Sequence, residues 1–290
     1  MSRHRLHPAD RVLRARLRET VRFPDLTERR ALKLSAIPHY TSRAHFNLWH
    51  RHMGGPDFAD GSGIFTPLFH VDFETTDLAL DIDEPLLVHG ETHLAATRTR
   101  AGEVDRLVRE GRHTVLVRRA DGDRVVARAH LINVFTRYDP DPARRRVTTL
   151  PGRLGLGEAP ARVIDLPTLE SLVPNDRQPD FADTETHVWH YGQTDPNRHV
   201  SGMEYLRVME ASVAAALQRR GHDLRRLYYA RARIIYRKPC FRGEAYRCVA
   251  WIHGEAPLIV AGAVLKAGDP PGSRPAVAVE LTLAQHAEPA

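Results

Sequence analysis

Residues 194–200 place three side chains capable of acid–base chemistry at alternating positions. The segment reads Thr-Asp-Pro-Asn-Arg-His-Val, so Asp195, Asn197 and His199 are spaced two residues apart. In an extended loop, such side chains point in the same direction. Asp195 could then act as a general base or orient a water molecule, His199 could hold or relay a proton, and Asn197 could fix the water or a carbonyl group. The opposing interpretation is a simple turn, because Asp and Asn are favoured in turns and near helix starts.

The element expected directly after this segment is a buried helix. Residues 202–220 carry apolar side chains on nearly every face, and Gly221 follows as a C-cap. The start of a helix offers unpaired N–H groups and the positive end of its dipole, which can polarise a carbonyl oxygen. Four residues around the helix start complete the candidate site. Tyr205 is a further catalytic candidate, and Val200, Gly202 and Arg198 are candidate substrate contacts.

Four side chains elsewhere are secondary catalytic candidates. Cys240 is either an inert core residue at a strand end or a thiol beside the site, and the basic residues two and three positions before it would favour a thiolate if it faces them. His70 and Asp72 would share one face of a strand as an acid–base pair. His45 is the fourth. The 17 histidines show no metal-binding spacing, so no metal site is expected.

Strand-like runs surround these candidates in both halves of the chain. A helix that is buried and followed by antiparallel strands able to wrap it is the pattern of the hotdog fold, which is an α+β fold. Residues 139–186 are rich in Pro, Gly, Arg and Asp, and we expect a linker there with one short helical turn near residues 166–172. The predicted strands cover residues 64–75, 86–98, 113–119, 124–138, 187–192, 230–237, 245–253, 258–266 and 276–284.

A segment of the first half shows weak sequence similarity to a segment of the second half. Placing His45 over His199 aligns residues 37–54 with the segment that precedes the predicted helix, and both segments are followed by strands. This favours a tandem, or double, hotdog, in which each antiparallel sheet is wrapped around a central helix. The predicted domains are 1–138, with a degenerate site, and 187–290, with the active site, joined by the linker 139–186.

The segment also resembles a known family. Thr-Asp-Pro-Asn-Arg-His-Val-Ser-Gly-Met-Glu-Tyr is similar to the D-x-N-x-H-V-N-N-x-x-Y motif of hotdog thioesterases, especially the acyl-ACP thioesterases. In that family the Asp, Asn and His are catalytic, so the resemblance assigns this role to Asp195, Asn197 and His199. Val200 and Tyr205 match the motif as well, whereas Ser-Gly replaces its pair of Asn residues.

A second motif of that family matches only in part. The family has Glu-Tyr-Arg-Arg-Glu-Cys at a strand end, and residues 235–240 read Ile-Tyr-Arg-Lys-Pro-Cys. The Tyr, Arg and Cys are present, but Pro239 replaces the catalytic Glu. The resemblance covers residues 186–252, and acyl-ACP thioesterases are also built from two tandem hotdog domains.

The resemblance implies a thioesterase that acts on an acyl-ACP or acyl-CoA in fatty-acid or polyketide metabolism. The substrate would carry phosphopantetheine or coenzyme A, and the protein would need no cofactor. Two alternatives stay open: a double-hotdog dehydratase or acyltransferase/decarboxylase acting on a carrier-bound polyketide intermediate, and a non-catalytic module that binds an acyl chain or carrier protein. Hotdog domains normally pair, so the chain is expected as a homodimer or as a monomer with internal pairing.

Composition restricts the class of protein and its partners. The 290 residues suffice for one large domain or two, and the two cysteines exclude a disulfide scaffold. Neither a signal peptide nor an apolar run of membrane-spanning length is present, so a cytoplasmic protein is expected. The net charge of +6 suits an acidic carrier protein or the phosphates of coenzyme A, and without a recognised motif it does not indicate nucleic acid.

Overall fold

A computed structural model of the chain describes residues 12–53, 63–141, 144–150, 160, 162–174, 177–254, 257–269 and 273–286. Contacts divide the chain into two compact units. The first comprises residues 12–21, His39–Phe69 and Asp83–Leu166, and the second comprises Arg22–Pro38, His70–Ile82 and the chain from Pro167 onward. This division cuts across the domain ranges expected from sequence, because residues 22–38 and 70–82 pack with the C-terminal part of the chain.

The first unit is built on an antiparallel sheet in the order β1-β4-β5-β6. β4 and β5 are long strands that alternate buried and half-buried residues over much of their length, which gives the sheet one inner face. The turn between β5 and β6 lies at Ala120 and Asp121, and Gly122, with a φ of 125°, begins β6, in agreement with the predicted Asp-Gly hairpin turn. The elements from the N-terminus are β1 (Leu13–Thr20), α1 (Ile37–Met53), β2 (Ile64–Phe65), β3 (Leu68–Thr75), β4 (Pro85–Arg98), β5 (Val104–Arg119), β6 (Gly122–Val134) and β7 (Thr136–Arg137).

The second unit holds an antiparallel sheet in the order β3-β10-β13-β12-β11, with two short strands, β8 and β9, paired to β11. The central helix α2 packs across β10 to β13. Gly262 on β12 lies so close to Met209 of α2 that a Cβ there would collide with the methionine methyl group. The elements are β8 (Phe181–Ala182), β9 (His187–Val188), α2 (Gly202–Arg219), β10 (Leu227–Tyr236), β11 (Ala245–His253), β12 (Leu258–Lys266) and β13 (Val277–Gln285).

Two sequence expectations about these elements are wrong, and one strand was not predicted. The strand predicted over residues 187–192 ends at Val188, because residues 191–193 form a 3-10 helix. The alignment of His45 with His199 fails, because His45 lies inside α1 whereas His199 precedes α2. β1 was not expected, although its residues alternate between half-buried and exposed as an edge strand does.

The linker has more structure than its composition indicates. Val163 forms a parallel bridge with Ala96 of β4, where the amide of Ala96 donates to Arg162 and the amide of Ile164 donates back to Ala96. The helical turn predicted near residues 166–172 is the 3-10 helix Leu169–Ser171. No helix in the described part of the chain is both long and apolar enough to cross a membrane.

Candidate functional site

Residues 195–198 form a tight turn rather than an extended loop. The Asp195 carboxylate accepts the backbone N–H of Asn197 at 2.8 Å, and the Asp195 carbonyl accepts that of Arg198 at 2.9 Å. Arg198 has a φ of 65°, and the Asn197 side chain is exposed. The expectation of an extended loop is therefore wrong, since an Asx-type turn replaces the strand-like spacing of Asp195, Asn197 and His199.

The turn nevertheless brings His199 back towards Asp195. The His199 Nδ1 atom lies 3.3 Å from the carbonyl oxygen of Val200 and 3.8 Å from the Asp195 carboxylate, the latter an ion-pair rather than a hydrogen-bond distance. Both neighbours are acceptors, so the proton of a neutral His199 resides on Nδ1 and Nε2 keeps a free lone pair. Nε2 has no hydrogen-bond partner among the described residues. The pair has the composition of a general base backed by a carboxylate.

Hydrogen bonds fix the turn at the N-terminus of α2. The amide of Val200 donates to the Cys240 carbonyl at 2.8 Å, and that of Ser201 donates to Gln193 at 2.9 Å. The next two amides, of Gly202 and Met203, donate to no group in the described part of the chain. They are the orphan donors expected of a helix start. Because the Val200 side chain is buried, with 2% exposure, and its amide is engaged, it supports the turn and is not free to contact a substrate.

Cys240 is a core residue held against Tyr205. Its side chain is fully buried, and its amide donates to the Tyr205 hydroxyl at 2.9 Å. Burial raises the pKa of the Cys240 thiol and also raises the pKa of the Tyr205 phenol. Lys238 points away into an ion pair with Asp269 at 2.7 Å, so it gives the thiolate no support. These observations favour the inert interpretation of Cys240.

Four aromatic rings pack together near the start of α2. Trp189 stacks on Tyr246 with centroids 4.0 Å apart and meets Tyr205 edge-on at 5.1 Å. Tyr205 in turn meets Tyr236, whose hydroxyl donates to the Gly202 carbonyl at 3.0 Å. Packing of this kind restricts the rotamers of these four aromatic side chains.

Asp72 and His70, the other secondary candidates in the second unit, do not form the expected acid–base pair. The Asp72 carboxylate accepts both Nε and Nη2 of Arg231, at 2.8 and 2.5 Å, in a bidentate pair between β3 and β10. His70 is buried two residues away on the same strand. With its carboxylate engaged by a guanidinium, Asp72 serves as a structural ion pair rather than as the acid partner of His70.

His45 belongs to a buried polar network in the first unit. Its Nδ1 lies 3.2 Å from His113 Nε2, and its Nε2 lies 3.2 Å from Asn133 Oδ1, which also accepts Arg109 Nη2 at 2.9 Å. All four side chains are at least nine-tenths buried. Sequence reasoning missed His113, Asn133 and Arg109, and its only available signal was the Gly-x-His of β5, where Gly111 leaves space under the imidazole of His45.

Glu210 is a further ionisable residue that sequence reasoning missed. It lies halfway along α2, is half-buried, and its carboxylate makes no hydrogen bond or ion pair with the described residues. Burial raises its pKa to about 7, against the opposing charges of Arg207 and Lys33. The described part of the chain contains no cluster of three or more His, Cys, Asp or Glu side chains that could hold a metal ion.

Solved structures with similar architecture decide the fold. A protein described as an oleoyl thioesterase from Lactobacillus plantarum matches 97% of this chain and 100% of its own at a TM-score of 0.70 and 14% identity. The 12:0-ACP thioesterase from Umbellularia californica matches 94% and 95% of the two chains at a TM-score of 0.66 and 14% identity. The chain has the tandem hotdog fold.

The tandem hotdog fold is shared by enzymes of different chemistry. A MaoC-like dehydratase from Phytophthora capsici matches 94% of this chain and 96% of its own, with a TM-score of 0.51 and 18% identity. No protein-family model and no curated protein sequence matches the chain. The choice between reactions therefore depends on the site.

Proposed function

We propose that the chain hydrolyses an acyl thioester whose acyl group is carried by coenzyme A or by the phosphopantetheine of an acyl carrier protein. The observation that carries the proposal is the arrangement at the start of α2. His199, with its lone pair on Nε2, lies beside the Asp195 carboxylate, three residues before the first of two unengaged amides. A general base and free hydrogen-bond donors for the oxyanion are what hydrolysis of a thioester requires.

The reaction follows from these groups. Water attacks the thioester carbonyl as His199 Nε2 accepts its proton, and the Asp195 carboxylate, 3.8 Å away, stabilises the imidazolium. The N–H groups of Gly202 and Met203 donate to the oxyanion. The intermediate then breaks its carbon–sulfur bond, and His199 returns the proton to the departing thiolate. The products are a free acid and a thiol, and no acyl group is attached to the protein.

Two exposed residues of the turn complete the proposed site. The Asn197 side chain is exposed on the same turn, and we propose that its amide binds the water or the thioester there. Arg198 is exposed and forms no ion pair with the described residues, so its guanidinium is available to phosphates of coenzyme A or to an acidic carrier protein. Fatty-acid or polyketide metabolism in the cytoplasm is the setting we propose for this reaction.

Product analysis tests the proposal against its alternatives. The protein is incubated with panels of acyl-CoA and acyl-ACP, including hydroxylated chains, with assay of free thiol and mass spectrometry of the acyl products. The expected result is free acid with stoichiometric thiol, abolished in His199→Ala and retained in His222→Ala. His222 is an exposed histidine whose side chain forms no hydrogen bond, ion pair or ring contact with the described residues. A dehydrated or transferred acyl group without thiol release would contradict hydrolysis, and unchanged substrate would indicate a binding module.

A further inference from the structure

A tyrosine hydroxyl from the sheet of the second unit holds the first peptide group of α2. Tyr236, the last residue of β10, donates its hydroxyl to the carbonyl oxygen of Gly202 at 3.0 Å. Burial raises the pKa of the Tyr236 phenol above its ordinary value, so the hydroxyl keeps its proton at neutral pH and acts as a donor. The hydrogen bond therefore joins the end of β10 to the residue at which the helix begins.

The glycine at position 202 permits this close approach of the phenol ring. A Cβ on Gly202 would lie 3.2 Å from the Tyr236 hydroxyl oxygen and 3.4 Å from its Cζ atom, closer than an ordinary van der Waals contact. Any side chain at this position would press against the phenol. The absence of a side chain at the helix start therefore allows the hydrogen bond to form without displacement of the ring.

The carbonyl that Tyr236 binds belongs to the same peptide group as the N–H of Met203. This N–H donates to no group in the described part of the chain, and it is one of the two donors assigned above to the oxyanion. A peptide whose oxygen accepts a hydrogen bond gains double-bond character in its C–N bond, and its N–H becomes a stronger donor. The hydroxyl also fixes the orientation of the peptide plane before the oxyanion forms.

We propose that Tyr236 is a positioning residue for thioester hydrolysis, which acts through the Gly202–Met203 peptide to orient and strengthen an oxyanion donor. The inference rests on the proposed function, because the oxyanion arises in that reaction. Tyr236 neither touches the thioester nor transfers a proton in this account. Since the negative charge develops in the transition state, the contribution falls on kcat. Loss of a whole oxyanion donor lowers kcat by about 10²–10³, so loss of a bond that acts through the donor should lower it less, by about tenfold.

Tyr229 provides a matched control on the same strand and the same helix. Its hydroxyl donates to the Glu210 carbonyl of α2 at 2.7 Å, and burial raises the pKa of its phenol as well. Tyr229→Phe and Tyr236→Phe each remove one hydroxyl and one hydrogen bond between β10 and α2. A merely structural role predicts the same effect of both substitutions. A positioning role predicts that only Tyr236→Phe changes the donor and the reaction.

A single NMR signal reports on this peptide group. Gly202 and Met203 form the only Gly-Met pair in the chain, so protein labelled with ¹³C at the glycine carbonyl and ¹⁵N at the methionine amide gives one correlated signal. Tyr236→Phe should move the Gly202 carbonyl carbon and the Met203 amide proton upfield, because the carbonyl loses a hydrogen bond. Tyr229→Phe should leave both in place. An unmoved signal in Tyr236→Phe would overturn the inference.

The kinetics of thiol release from acyl-CoA and acyl-ACP test whether this peptide serves the reaction. Tyr236→Phe, with folding checked by circular dichroism, should lower kcat about tenfold and keep KM within about twofold, since the interaction is made in the transition state. The pH profile of kcat should be unchanged, because the base His199 is untouched, and Tyr229→Phe should keep kcat within about twofold.

Equal losses of kcat in the two variants, or a loss confined to KM, would overturn the inference. A native chain that releases no thiol would instead refute the proposed function and, with it, the role of Tyr236 in hydrolysis. The NMR signal would still show in that case whether Tyr236 strengthens the Met203 donor, so the two failures are distinguishable.

Discussion

Gly111 lies directly beneath the imidazole of His45: a Cβ on Gly111 would come within 2.7 Å of Nδ1 and 2.8 Å of Cε1. The helix α1 thus places an imidazole against the backbone of β5, between His113 and Asn133. Only glycine leaves space for this arrangement. The polar network of the first unit therefore depends on the glycine at position 111 as much as on its polar side chains.

Replacing this glycine should destabilise the protein. Gly111→Ala forces a methyl group into the His45 ring, and overpacking of a buried site costs about 1–3 kcal/mol. Chemical denaturation should show the loss, and a matched Gly268→Ala variant, at a position where a Cβ would meet nothing within 4 Å, should change stability much less. Equal stability of the two variants would contradict the observed packing of His45.

Acid should destabilise the fold through His113. The folded pKa is about 4 and lies below the ordinary value of 6.5, so the neutral imidazole stabilises the fold above pH 6.5 and this contribution is lost as the pH falls towards 4. A shift of this size corresponds to about 3 kcal/mol. His113→Gln, whose amide can still donate to His45, should flatten the dependence of unfolding free energy on pH between 7 and 4. Parallel curves for the two proteins would show that His113 does not titrate as described.

Glu210 should act in the opposite direction. Burial raises its pKa to about 7, so its contribution to stability is present below pH 4.5 and is lost as the pH rises through 7, where the folded state must ionise the carboxyl in a poorly hydrated place. Glu210→Gln should therefore be more stable than the native chain at pH 8 by about 1–2 kcal/mol, since partial contact with water reduces the full effect. The exposed Glu185→Gln serves as the control in thermal unfolding. Destabilisation by Glu210→Gln at pH 8 would indicate a required ionised carboxylate.

Cys240 should be dispensable for the chemistry. Its thiol is fully buried, and burial raises its pKa, so neither the access nor the ionisation that a nucleophile needs is present. Cys240→Ser should keep kcat/KM within about tenfold, with the change expressed mainly as lost stability. Rapid-quench mass spectrometry should find no acyl adduct on the protein. An acylated Cys240 peptide, together with an inactive but folded Cys240→Ser variant, would place the nucleophile on the sulfur.

The sequence was informative where the residues interact with near neighbours in the chain. The periodicity of α2 and the alternation of β11 and β12 predicted these elements almost to the residue, and the fold expected from them is confirmed. The turn at Asp195 was predicted less well, because spacing two suggests an extended chain, whereas the Asp side chain captures the amide of Asn197 and closes the chain on itself. A local hydrogen bond from backbone to side chain thus favours a turn over the extended chain that the alternating pattern predicts.

The network of His45 could not be predicted in the same way. Its members come from α1, β5 and β6, and Asn133 is 88 residues away from His45. The register of the strands brings them together, and one sequence alone does not determine that register. The interpretation of the first half as a domain with a degenerate site rested on aligning residues 37–54 with the segment that precedes α2, whereas residues Ile37–Met53 form the helix α1.

The central claim is that His199, supported by Asp195, activates water for attack on an acyl thioester. The most direct measurement is thiol release from a matched set of acyl-CoA and acyl-ACP substrates by the native chain, His199→Ala, Asp195→Ala and the control His222→Ala, with folding of each checked by circular dichroism. The account predicts that kcat/KM falls by about 10² or more in both site variants, the usual range for a positioned acid–base group, and is unchanged in the control. Site variants that retain kcat/KM within about threefold of the native value would contradict it.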